Sequence, residues 1–203
     1  PVDYHLKALE ALGAKVELLE GYIVADAPNG LRGAQIDFPF ASVGATEHAM
    51  MAAVLAKGQT VITNAALEPE ITDIGQCLIA MGAKISGLGT SRIVIDGVEK
   101  LHGAEHPVLP DRIEAGTFAI AAAMAGGEVE LIGAREDMLT ALIDLLRQTG
   151  TDVMATNRGI AVHRNGARLK SVDATTEVFP GFPTDLQAQF MALMTIADGT
   201  SQI

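Results

Sequence analysis

Met81-Gly82-Ala83-Lys84 closes a helix-like run and opens a strand. The chain does the same at Leu12-Gly13-Ala14-Lys15 and at Thr149-Gly150-Thr151-Asp152. The three glycines, Gly13, Gly82 and Gly150, are spaced by 69 and then 68 residues. A glycine just past a helix end takes the left-handed conformation at no steric cost, and so stops the helix. Each stop is followed by a short strand, a turn and a second, alternating strand, at residues 22–25 (YIVA), 92–95 (RIVI) and 159–162 (GIAV).

A second landmark keeps the same beat. Gly58, Gly127 and Gly199 each follow an apolar helix and open a strand, and they lie 69 and then 72 residues apart. A repeat of this length is one supersecondary unit. One unit reads helix, strand, helix, strand, strand, with an additional short strand before the first helix. The chain therefore holds the end of one unit, two full units and the start of another.

The first helix of each unit lacks a polar face. Residues 49–56 (AMMAAVLA), 117–125 (TFAIAAAMA) and 186–197 (LQAQFMALMTIA) are apolar nearly all round, which predicts helices surrounded by protein. Residues 139–148 keep charged positions and read as amphipathic. The expected architecture is a sheet shell with helices packed inside. Residues 103–110 (GAEHPVLP), with two prolines, read as a loop and a domain boundary, leaving 1–109 in one domain and 110–203 in the next.

Composition narrows the function. The 203 residues carry 14 basic and 25 acidic side chains, a formal net charge of −11, with six Phe, two Tyr and no Trp. That balance argues against a phosphate-tracking, base-stacking surface, so nucleic acid is not an expected partner. The longest uncharged apolar stretch, residues 115–127, has 13 residues. A spanning helix needs about 18 or more, so no membrane is expected. One cysteine, Cys77, allows no intrachain disulfide and fits a reducing cytoplasm. It lies in an apolar helix with no base near it in sequence and reads as core. The five histidines are scattered without metal-ligand spacing. Asn29-Gly30 reads as a hairpin turn. The chain opens on Pro1 and closes on Gly199-Thr200-Ser201-Gln202-Ile203, the start of a strand, so both ends read as cut.

Polar residues gather at the starts of the apolar helices: Ser42 to Glu47, Asp111 to Glu114, and Thr184 to Gln187. A helix start presents free N–H groups and the positive end of the dipole, which suits an anion. Ser42, Thr46 and Thr184 are equally N-cap types, and an acid in a first turn answers the dipole. Asp111-Arg112 reads as an ion pair at a hinge. Gly44 leaves bare backbone for close ligand approach. Asp185, bordering a wholly apolar helix, reads either as a tuned base or as a first-turn acid. All three starts could line one cleft between two similar domains.

Five stretches, in order along the whole chain, carry a resemblance. They are Pro1-Val2-Asp3; Ser42-Val43-Gly44-Ala45-Thr46; Asn64-Ala65-Ala66 with Glu68-Pro69-Glu70; Leu109-Pro110-Asp111-Arg112-Ile113-Glu114-Ala115-Gly116-Thr117; and Phe182-Pro183-Thr184-Asp185-Leu186-Gln187-Ala188-Gln189. On these the chain resembles the enolpyruvyl transferase family, in its nucleotide-sugar branch. The resemblance implies an α/β (α+β) fold of two inside-out barrel domains, built from βαβαββ units of about 69 residues. It implies transfer of the enolpyruvyl group of phosphoenolpyruvate to the 3′-hydroxyl of UDP-N-acetylglucosamine with release of phosphate. That is the first committed step of peptidoglycan synthesis, hence of cell-wall biogenesis, cell shape and division. No cofactor and no metal is implied.

Residue by residue, Pro1, Val2, Asp3 and Tyr4 match the segment holding the uracil end. Ser42, Val43 and Gly44 match the helix start that meets the diphosphate. Asp185 matches the aspartate that binds the sugar hydroxyl and takes its proton. Phe40 stands where the family often has Lys, so the diphosphate loses one cation. The family's catalytic cysteine loop would lie upstream of Pro1, and Cys77 does not match it. The expectation is an internal fragment, inactive by itself. The alternatives are the sister transferase acting on shikimate 3-phosphate, a non-catalytic nucleotide-sugar-binding domain, and a purely structural repeat protein.

Overall fold

The structure is a computed structural model that describes residues 2–203; Pro1 lies outside the described residues. The chain divides into two compact units, residues 1–108 and 109–203.

In the first unit, helix α1 (Asp3–Ala11) runs into an antiparallel hairpin, β1 (Lys15–Leu19) and β2 (Tyr22–Asp26). Glu20 and Gly21 turn it, with φ of 51° and 84°, the paired positive values of a primed two-residue turn. β3 (Gln35–Asp37), α2 (Val43–Ala53), β4 (Gln59–Thr63), α3 (Pro69–Ala80), β5 (Lys84–Ser86) and β6 (Arg92–Asp96) follow. The sheet order is β3-β4-β6-β5, with β3 parallel to β4 and the other pairs antiparallel.

Strand alternation sets the register. Ile36 pairs Ile62, Ile62 pairs Ile93 and Thr60 pairs Ile95, and all five are buried on one sheet face. A register slip of one residue would turn this set to solvent. α2 packs over that face through Ala45, Ala49, Met50 and Ala53, with α1 and α3 beside it.

The second unit holds α4 (Arg112–Ala125), β7 (Gly127–Ile132), α5 (Thr140–Gln148), β8 (Asp152–Ala155), β9 (Gly159–Arg164) and α6 (Gln187–Met194). Its sheet order is β7-β9-β8, all antiparallel. Val153, Ile160 and Val162 face Leu142, Ile143 and Leu146 of α5 in one core with Ala119, Ala123 and Phe190. Each fully buried aliphatic side chain of this kind contributes about 1.5–3 kcal/mol.

The three glycine stops share one geometry. Gly13, Gly82 and Gly150 have φ of 93°, 102° and 93°. Their N–H groups donate to Glu10, Ile79 and Arg147, and the next N–H groups donate to Leu9, Leu78 and Leu146. These are Schellman closures, which satisfy carbonyls that a bare helix end leaves open.

Several sequence expectations change. Within the described residues the sheet and the adjoining helices cover one flank of each apolar helix. Met51 beside the core face of α2, Phe118 of α4 and Met191 of α6 are about half exposed, at 47 %, 56 % and 50 %. Asn29-Gly30 is a turn, closed by Gly30 N–H donating to the Ala27 carbonyl at 2.8 Å, but it joins β2 to β3, which do not pair. Residues 199–203 form no strand, although Ala174 N–H donates to the Gln202 carbonyl at 3.0 Å. Asp111 serves as the N-cap of α4, its Oδ1 accepting from Ile113 and Glu114 N–H at 2.8 and 3.0 Å. Arg112 is buried, its guanidinium 5.7 Å from the centre of the Phe179 ring.

Candidate functional site

Two helix starts of the first unit flank one cavity. Asp3, Tyr4 and His5 come from the first turn of α1, and Phe40 and Ser42 from the segment leading into α2. The cavity has a volume of about 320 Å³. Four sequence-selected residues, Asp3, Tyr4, Phe40 and Ser42, thus line one space.

The leading segment is held from behind. Asn64, itself at a φ of 53°, donates from Nδ2 to the Phe38 carbonyl at 2.9 Å. Phe38 N–H donates to the Thr63 carbonyl at 3.2 Å, and the Phe38 ring is buried, 6.2 Å from that of Tyr4. Asp37, just before, accepts from Thr63 Oγ1 and from Gln35 Nε2. Those bonds, Thr63 first, hold its carboxyl below the usual range.

Ser42 is the N-cap of α2, its Oγ accepting from Ala45 N–H at 3.4 Å. Thr46 is buried inside the helix; its Oγ1 donates to the Ser42 carbonyl at 2.7 Å and accepts from Ala66 N–H at 3.1 Å. The hydroxyl therefore pins the first turn of α2 to the 64–66 loop. Gly44 is exposed, and a Cβ there would stand 3.4 and 3.5 Å from Cε1 and Nε2 of His5. Phe40 is 58 % exposed on the cavity rim and brings no charge. Val2 is the N-cap residue of α1, and Val43 is the first residue of α2.

His5 and His48, 43 residues apart in sequence, meet between α1 and α2 with their Nδ1 atoms 3.1 Å apart. Both are half-buried. Burial, and secondarily the charge of His5, pushes the His48 pKa down. On the preceding residue, burial and then the Glu70 carboxylate push the Glu47 pKa up. Sequence spacing alone did not reveal this pair; only the packing of α1 on α2 brings it together.

Asp185 belongs to the second unit. It is exposed, in the 3-10 turn Thr184–Leu186 that leads into α6. Leu186 is buried against Gly116 of α4, and Gln189 Nε2 donates to Thr117 Oγ1 at 3.0 Å. The Thr184-to-Gln189 and Gly116-Thr117 stretches are thus packed together. Cys77 sits partly buried in α3. Among the described residues there is no group of three metal-ligating side chains, and no helix is long and apolar enough to cross a membrane.

The sequence profile of the EPSP synthase (3-phosphoshikimate 1-carboxyvinyltransferase) family matches residues 1–203, and the chain belongs to that family. Among curated relatives it is 62 % identical over 203 residues to the UDP-N-acetylglucosamine 1-carboxyvinyltransferase of Caulobacter vibrioides (strain NA1000 / CB15N), covering all of this chain and 47 % of that protein. It is 61 % identical, over the same shares, to the protein of that name from Afipia carboxidovorans. The chain therefore spans about half the length of the curated relatives it matches. Among solved structures it resembles the enolpyruvyl transferase NikO from Streptomyces tendae, with a TM-score of 0.86 at 25 % identity over 98 % of this chain and 50 % of that one. It also resembles the EPSP synthase of Acinetobacter baumannii, with a TM-score of 0.64 at 26 % identity over 85 % of this chain and 41 % of that one. The mixed α/β fold is that of the enolpyruvyl transferases.

Proposed function

We propose that this chain supplies the nucleotide-sugar part of an enzyme that moves the enolpyruvyl group of phosphoenolpyruvate to the 3′-hydroxyl of UDP-N-acetylglucosamine, releasing phosphate. The observation that carries this reading is the single cavity lined by Asp3, Tyr4, Phe40 and Ser42. The names of relatives at 62 % and 61 % identity support the same substrate. Residues 1–109 and 110–203 would then be parts of two inside-out domains of repeated units, acting in the cytoplasm in cell-wall synthesis.

Roles follow from chemistry. The free N–H groups in the first turn of α2, with Ser42, Val43 and Gly44, suit the diphosphate, because they add positive partial charge without a desolvated side chain. Pro1, Val2, Asp3 and Tyr4 serve the uracil end. Asp185 is the base. A sugar hydroxyl attacks poorly unless a group takes its proton in the transition state. As that proton passes to the carboxylate, the hydroxyl oxygen adds to the phosphate-bearing carbon of the enolpyruvyl group, while the neighbouring methylene carbon takes up a proton from a general acid. Loss of a proton from the resulting methyl group then restores the double bond and expels phosphate by breaking the bond from the central carbon to the phosphate oxygen.

Calorimetric titration of the 203-residue chain tests the reading. UDP-N-acetylglucosamine binds and shikimate 3-phosphate does not, while phosphoenolpyruvate with the nucleotide sugar gives no sustained phosphate release from this chain alone. Preference for shikimate 3-phosphate, or no binding of either acceptor, overturns it.

A further inference from the structure

The cavity wall contains a side chain whose protonation is tied to a residue behind it. His5 lines the cavity, while His48 meets it from α2 through the 3.1 Å contact between their Nδ1 atoms. A hydrogen bond between two ring nitrogens requires one to carry the proton and the other to lack it. If His48 donates, the Nδ1 of His5 is an acceptor, and a neutral His5 must carry its proton on Nε2. The Nε2–Cε1 edge of His5 lies beside Gly44, in the first turn of α2. The opposite arrangement would present a lone pair at the same place, and so repel an anion.

Building on the nucleotide-sugar reading above, we propose that His48 is a positioning residue for His5. It donates from Nδ1, fixes the His5 tautomer with hydrogen on Nε2, and so turns that edge into a donor for the phosphate oxygens of the ligand. The device compensates in part for Phe40. With no cation at that position, a fixed neutral donor takes over some of the contact with the anion.

The test combines ring-nitrogen NMR with titration by UDP-N-acetylglucosamine, and by UDP as the smaller probe. The expected spectrum of the bound wild-type chain shows His5 protonated at Nε2 and bare at Nδ1. His48→Leu removes the donor and weakens binding about tenfold, the size of one hydrogen bond. His48→Asn, whose amide reaches the position of Nδ1, keeps both the His5 tautomer and most of the affinity. Thermal melts of both variants show that the fold is retained. If His48→Leu binds as tightly as wild type, or bound His5 carries its proton on Nδ1, the proposal fails while the substrate reading stands. If the wild type binds neither ligand, the substrate reading fails and takes the proposal with it.

Discussion

Thr46 Oγ1 accepts the N–H of Ala66 at 3.1 Å, a bond between two residues with no exposed surface to speak of. The same hydroxyl donates to the Ser42 carbonyl at 2.7 Å. One oxygen thus joins the first turn of α2 to the Asn64-Ala65-Ala66 loop, and Asn64 in turn holds Phe38. Ser42 and Phe40 are placed by this chain of bonds, although neither takes part in the core.

Thr46→Val keeps the shape of the side chain and removes both bonds, stranding a buried N–H. The expected cost is about 1–3 kcal/mol of folding stability, with a further loss of nucleotide-sugar affinity because Ser42 is released. Thr46→Ser keeps the hydroxyl and recovers most of both. Urea unfolding and calorimetric titration of the two variants check this; equal stability of Thr46→Val and wild type would refute it.

At Gly44, stability and binding are expected to part. A Cβ there reaches His5 at ordinary van der Waals distance, so the fold accepts it. Alanine in a helical position is favoured over glycine by up to about 1 kcal/mol. Gly44→Ala therefore melts at or above the wild-type temperature, while its methyl group takes space at the helix start and lowers affinity for UDP-N-acetylglucosamine. A variant that binds as well as wild type would show that no ligand approaches this backbone.

Phe40→Lys places a cation on the cavity rim. The side chain is 58 % exposed, so stability should change little. Affinity for the nucleotide sugar rises several-fold at low salt, and the gain shrinks as salt screens the new charge. Titrations at two ionic strengths measure it. A gain independent of salt would mean that the lysine acts by something other than charge.

What could be read in advance was local. The stops at Gly13, Gly82 and Gly150 follow from the left-handed backbone that a Schellman closure requires, which few other residues adopt. The buried faces of β4 and β6 follow from alternation. Helix limits were less legible. The polar start at Ser42 to Glu47 is the first turn of α2, capped by Ser42 as its residue type suggests, but the apolar run 49–56 overstates the other end, since α2 closes at Ala53. Asp111 reads as half of an ion pair, whereas its Oδ1 caps α4 by accepting from the free N–H groups of Ile113 and Glu114. The His5–His48 pair was out of reach, because no periodicity links residues brought together only by two helices packing.

Acid separates Glu47 from His48. Glu47 has a folded pKa above the ordinary 4.5, with burial as the main cause and Glu70 second. Its protonated form is favoured by folding, so the contribution is fully present below pH 4.5 and is lost as pH rises through the folded pKa. His48 runs the other way. Its pKa lies below 6.5, so its contribution is intact above pH 6.5 and is lost as pH falls through the folded value. Glu47→Gln should raise the melting temperature at pH 7 and lose that advantage at pH 4. A constant offset across pH would exclude the carboxylate as the cause.

Gly116 is the point where α4 meets the turn that carries Asp185. A Cβ there would stand 2.6 Å from Leu186 Cδ1 and 3.0 Å from Leu142 Cδ2, and both leucines are buried. Both side chains must shift within a buried core to admit the methyl group, so Gly116→Ala should cost about 1–3 kcal/mol as overpacking. Leu186 is the neighbour of Asp185 in the Thr184–Leu186 turn, so its displacement moves the carboxylate as well. Leu186→Ala, which makes room for the new methyl group, should offset part of the loss in the double variant. That non-additivity separates a local clash from the general preference for alanine in helices. Urea unfolding of the two single variants and the double variant measures it, and strictly additive losses would show that Gly116 and Leu186 do not compete for the same space.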